Sequence, residues 1–124
     1  MHTLFMVITM GNIKINEVIG GNFAVTTDDG NLVFNLLDKN LEEQKKTKLD
    51  FSEVIVLTTA FLNAAIGQLY SKYKSEEISP YLKLINVADE DKILFKKVTE
   101  RAKEYFANKE GFEKNANNAI NGND

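Results

Sequence analysis

Two adjacent hydroxyls, Thr58 and Thr59, stand just before a helical run that begins Ala60-Phe61-Leu62. A side-chain oxygen there can accept a free N–H of the first helical turn. The same end of a helix also stabilises an anion, so a phosphate on either hydroxyl would add charge and could switch docking of a partner. Capping and regulation are both open readings of this pair. Asp50 closes an apolar run and can anchor the following loop by hydrogen bonding. One carboxylate without a neighbouring histidine or second acid is a poor metal site, and no metal is expected. The acids Asp28, Asp29, Asp89, Glu90 and Asp91 each fall at an expected helix start, where they complement the dipole. His2 is the single histidine, near the chain end, and has no third group to orient it as a general base. Gly20, Gly21 and Gly30 are not followed by the Lys-Ser/Thr of a phosphate loop and do not form a dinucleotide fingerprint. With no cysteine, a disulfide framework and a thiolate metal site are excluded. No catalytic residue and no cofactor is expected, and the chain reads as non-enzymatic.

The elements that position these residues follow from hydrophobic spacing. Thr3 to Met10 reads as a strand, although Met10 is an alternative starting residue. Ile13 to Asn16 alternates apolar and polar as a half-buried strand does. Gly20-Gly21 marks a turn, and Phe23 to Val25 a second short strand. Thr26 to Asp29 starts a helix with its apolar stripe at Leu32, Val33, Leu36, Leu37 and Leu41. A charged connector, 42–48, leads to a central strand from Thr47 to Phe51. A tight loop carrying Val54, Val56 and Leu57 then leads to a helix from Thr58 to Lys74. Its apolar stripe is Phe61, Leu62, Ala65, Ile66, Leu69 and Tyr73. A second stripe, Ala60, Ala64, Gly67 and Ser71, is small enough to let another element approach closely, whether the sheet or a partner. Tyr70 and Lys72 flank the exposed face. Residues 75–80 read as a polar connector, Tyr81 to Val87 as a strand, and Asp89 to Asp91 as the start of a last helix. The buried face of that helix is Leu94, Val98, Ala102, Tyr105 and Phe106. The pattern fades after Gly111, and residues 112–124, rich in Asn, are expected to form a disordered tail. The resulting order, β-β-α-β-α-β-α, predicts an α/β fold with a mixed or mostly parallel sheet carrying helices.

Length and charge bound the function. A chain of 124 residues is one domain able to bury a core without staples. A net charge of -3, with both signs spread along the chain, argues against a nucleic-acid groove. The apolar N-terminal run is too short to span a membrane and lacks the features of a secretory leader. A cytoplasmic location is expected.

The run Leu49-Asp50-Phe51-Ser52-Glu53-Val54 resembles the strand and loop of the STAS superfamily, to which the anti-anti-sigma factors belong. In those proteins an Asp-Ser-Ser-Gly motif then opens a helix; here Thr58-Thr59-Ala60-Phe61 stands in that place. The closer resemblance is to a bacterial STAS-like family of unknown function. It is carried by Thr59-Ala60-Phe61-Leu62-Asn63, by Leu84-Ile85-Asn86-Val87 before an acidic helix start, and by the stretch from Gly21 to Gly30. It covers roughly residues 12 to 107. The resemblance implies a STAS-like fold and a regulatory module recognised by another protein, for instance a GHKL-type ATPase or kinase. In anti-anti-sigma proteins the second serine of the motif takes the phosphate. That position is Ala60 here, which has no hydroxyl; the neighbouring Thr58 and Thr59 keep theirs and are the candidate regulatory hydroxyls, or caps of the helix. Asp50, Ala60, Asn63, Ala64, Gly67 and Ser71 are the expected partner-binding residues. Two further readings are a small-ligand or nucleotide sensor at the strand ends, and a mobile-element protein that inhibits a host protein by occupying its surface.

Overall fold

The computed structural model describes residues 11–120, the stretch 109–120 as backbone only. The strand expected at Thr3 to Met10 and the end of the expected tail lie outside these residues. In chain order the elements are β1 (Asn12–Lys14), α1 (Ile15–Ile19), β2 (Phe23–Ala24), α2 (Thr27–Glu42), β3 (Thr47–Asp50), β4 (Val56–Leu57), α3 (Thr59–Ala65), a 3-10 helix (Gly67–Ser71), α4 (Ser75–Ile78), β5 (Leu82–Ile85), a short 3-10 turn (Asp89–Asp91) and α5 (Lys92–Ile120). The α/β expectation holds, with every described strand pairing in parallel and the strands divided between two small sheets. One sheet has the order β1-β3-β5, and the other pairs β2 with β4.

Strand alternation decides which side of the larger sheet is covered. Ile13, Thr47 and Leu49 are buried, with Leu82 and Leu84 partly buried on the same side. The intervening residues point the other way, and of these Asn12, Lys48 and Lys83 are exposed while Lys14, Asp50 and Ile85 are partly covered. The core therefore lies on one side of the sheet. It joins Ile15, Val33, Leu37 and Leu41 to Phe61, Leu62, Leu69, Phe95 and Val98. Phe51 meets Phe95 edge to face at 4.9 Å between centroids, which ties the end of β3 to α5.

Several elements differ from the expected ones. The strand expected over Ile13 to Asn16 stops at Lys14. The chain then turns through α1, which buries Ile15 and ends at Gly20 in the left-handed conformation (φ 72°). In α2 the buried residues are Gly30, Val33, Leu37 and Leu41, whereas Leu32 and Leu36 are exposed. The single helix expected from Thr58 to Lys74 is broken. Regular α-helix ends at Ala65, Ile66 turns the chain, and the 3-10 helix continues to Ser71. The connector expected at 75–80 contains α4, whose Ile78 is buried. In α5 the inward residues include Phe95, Val98 and Ala102, while Tyr105 is 59% exposed. Its backbone stays helical through Gly111 to Ile120, over most of the stretch expected as a tail.

The small residues explain how the helices sit. A Cβ on Gly30 would lie 2.6 Å from both the Ala64 Cβ and the Phe61 carbonyl oxygen. Helices α2 and α3 therefore touch almost backbone to backbone. Gly67 faces Ala102 and Val98 of α5 at ordinary distances, 3.8 Å from an added Cβ. Of the small stripe, Ala64 and Gly67 pack on neighbouring helices rather than on the sheet, while Ala60 and Ser71 are exposed. Farther along α2, the Tyr73 hydroxyl donates to Asp38 Oδ1 at 2.6 Å, and Lys72 Nζ pairs with Asp38 at 3.0 Å and with Glu42. The Tyr73 hydroxyl lowers the Asp38 pKa below its ordinary value. Burial and that same bond push Tyr73 up to about 12.

Gly30→Ala is expected to destabilise the fold by about 1–3 kcal/mol despite a better helix propensity, because the added methyl overlaps backbone. Gly67→Ala is expected to be near neutral; urea denaturation of the two variants checks both. A carboxylate whose folded pKa is depressed adds stability that is present above its unfolded value, here 3.8, and is lost as the pH falls through the lower folded value. Asp38→Asn should therefore lose stability at neutral pH and show a shallower acid limb in a stability–pH series.

Candidate functional site

Two strand-to-helix turns lie side by side at one end of the molecule. Each uses a threonine as its cap. Thr26 Oγ1 accepts from Asp29 N at 3.1 Å at the start of α2, and Thr58 Oγ1 accepts from Phe61 N at 3.2 Å at the start of α3. The Thr58 hydroxyl also donates to the Val25 carbonyl at 2.6 Å, and its backbone N–H bonds to the Ala24 carbonyl at 3.1 Å. Thr58 is thus a partly buried structural clamp between the two turns. Thr59 is exposed one residue later.

The other expected site residues divide. Ala60 and Asn63 are exposed on α3, and with Thr59 they occupy its outer side at helical spacing. Ser71 is also exposed, its hydroxyl donating to the Gln68 carbonyl at 2.6 Å. Ala64 and Gly67 are buried in the helix contacts described above, so they serve packing in this chain. Asp50 faces the opposite side of the larger sheet. Its Oδ1 accepts from Ser52 N at 2.9 Å and from Asn86 Nδ2 at 2.8 Å. The Asn86 bond is the main reason its pKa is lowered.

These contacts fix the carboxyl ends of the strands. Val54 N returns to the Phe51 carbonyl at 3.2 Å, closing a turn in which Glu53 has φ 65°. Glycine usually fills such a position. Glu53 is held there by Lys14 at 3.1 Å and by Asn16, whose amide donates to it at 2.7 Å. Asn86 is left-handed as well, with φ 59°. Between these loops lies a cleft of about 330 Å³ whose lining includes Ser52, Glu53, Val54, Leu57, Asn86 and Asp91. Among the described residues no group of three or more His, Asp or Glu side chains is placed to hold a metal ion. No helix of the described residues is long and apolar enough to cross a membrane.

The sequence reading did not single out the surface beside Thr59. Phe23 is 61% exposed, Ile55 70% and Val56 42%. Phe23 and Val56 are register partners across β2 and β4, and Ile55 N bonds to the Asn22 carbonyl at 2.8 Å. Phe23 and Val56 thus stand side by side, with Ile55 exposed one residue before Val56. The signal was present in Val54-Ile55-Val56-Leu57. In extended chain, consecutive side chains alternate sides, so four apolar residues in a row cannot all face one core.

A family model described as a STAS-like domain of unknown function (DUF4325) matches residues 29–92, which include most of α2, the turns that follow β3 and β4, α3 and β5. No curated protein and no solved structure shows a significant match to the chain. The matched stretch is more than half of the sequence, and the chain belongs to this STAS-like domain family.

Proposed function

We propose that the protein is a non-enzymatic regulatory module that binds another protein through the outer side of α3 and the adjoining apolar surface. The observation that supports this most directly is the exposed register pair Phe23 and Val56 on β2 and β4. Large apolar side chains clustered on a surface favour association, because burying them releases water. Thr59, Ala60 and Asn63, exposed on the helix that follows β4, add a polar and small surface. Thr59 is the better regulatory hydroxyl, since the Thr58 hydroxyl already both donates and accepts inside the fold. The STAS likeness supports a GHKL-type ATPase or kinase as the partner.

A second reading is favoured by the cleft at the carboxyl ends of β3 and β5. In parallel sheets ligands commonly bind outside the carboxyl ends of the strands. Ser52 and Asn86 offer hydrogen bonds there, and the carboxylates of Glu53 and Asp91 favour a neutral or amine-bearing small molecule over an anionic nucleotide.

The protein, tagged in its own host, is expected to co-purify with such an ATPase. Phe23→Asp should reduce the purified pair's affinity by about thirtyfold, the effect of losing a central anchor residue. Thr59→Glu should weaken binding, with Thr59→Ala close to wild type. If neither Phe23→Asp nor Thr59→Glu changes binding, the surface is elsewhere. For the second reading, an amine-bearing ligand present at about a hundred times its Kd should stabilise the fold by about 2.7 kcal/mol. A thermal-shift screen of such compounds reads this out, and a screen without a shift removes the reading.

A further inference from the structure

The far end of the larger sheet carries a second surface, unrelated to the one above. Lys48 of β3 and Lys83 of β5 are register partners in parallel strands, and both are exposed. Neighbouring strands lie about 4.8 Å apart, so two like charges are held directly opposite one another. Such a pair weakens the free protein. Beside it, at the amino ends of the same strands, runs a groove of about 360 Å³ lined by Lys46, Lys48, Lys83, Pro80, Tyr81 and Leu82 among others. Its lining is mostly apolar and its charged residues are all lysines. Lys46 is exposed too, and none of the three lysines belongs to an ion pair among the described residues. The lysines lie in a protein of net charge -3, so the positive charge is a local feature.

We infer that this groove binds an acidic segment of a partner protein, with an apolar side chain against Pro80 and Tyr81 and carboxylates against Lys46, Lys48 and Lys83. Charge complementarity selects the occupant. Carboxylates entering the groove neutralise the lysines and turn the repulsive pair into a shared binding site. A nucleic acid fits less well. Single-strand binding sites combine a basic track with several stacking aromatics, and here one tyrosine accompanies three lysines. The three lysines are far from the Thr59 surface in the fold's wiring, since β3 and β5 separate the amino-end groove from the carboxyl-end loops. The inference does not depend on the proposed function.

The test is a titration of the isotope-labelled full chain with a short synthetic peptide of glutamates around a leucine pair, followed by NMR. Amide shifts of Lys46, Lys48 and Tyr81 to Lys83 are expected to move, and the binding to weaken as salt is raised. Lys48→Glu is expected to lose about tenfold or more in peptide affinity. The same substitution should raise the melting temperature, because it replaces the repulsion with Lys83 by attraction. A loss of binding together with a gain in stability cannot come from misfolding. Shifts confined to other regions, tighter binding of oligouridylate than of the peptide, or contacts from residues 3–10 to Tyr81 and Leu82 in the free protein would each overturn the inference.

Discussion

The contact of Gly30 with α3 is the constraint on which the arrangement rests. Because nothing but hydrogen projects from Gly30, α2 and α3 run together almost backbone to backbone. That closeness brings the two strand-to-helix turns into register, so that β2 can pair with β4 and the Thr58 hydroxyl can reach the Val25 carbonyl. A wider helix spacing would separate the turns and with them Phe23 from Val56. The exposed surface is therefore a consequence of packing some distance away, in the buried part of the helix pair.

Much of this was legible in the residues. Thr26 and Thr58 announce helix starts by chemistry that is local, since a hydroxyl and an N–H three residues later need no tertiary help. The run Leu49-Asp50-Phe51 reads as a strand for similar reasons, and Asp50 does bond to the following loop as expected. In the small stripe, Ala64 and Gly67 signalled close approach, while Ala60 and Ser71 face outward. What it did not signal was the neighbour, because any flat element can use small residues, and the neighbours are α2 and α5.

Other features depend on contacts that leave little trace in one segment. Apolar spacing continues smoothly from Phe61 to Tyr73, yet regular helix stops at Ala65. The 3-10 helix that follows is set by how Leu69 and Gly67 meet the core and α5. The first two residues of α1 fall in the alternating run Ile13 to Asn16 that reads as strand, although five residues suffice to turn the chain once Ile15 is buried. Leu32 and Leu36 fit the apolar stripe of α2 as well as Val33 and Leu37 do. Only the position of α3, which claims one side of α2, leaves them outside. Glu53 and Asn86 occupy left-handed positions that favour glycine, and the bonds holding Glu53 come from Lys14 and Asn16, far back in the sequence.

The stretch from Thr59 to Ile78 consists of three helical pieces of seven, five and four residues. Isolated helices shorter than about 12 residues are marginal in water, because nucleation fixes several torsions for each first bond. This segment's order is therefore borrowed from its neighbours, chiefly through Phe61, Leu62, Leu69 and Ile78. An event that loosens α2 or α5 is expected to release α3 and the 3-10 helix together, making them one cooperative unit of opening whose state reports on the rest of the domain.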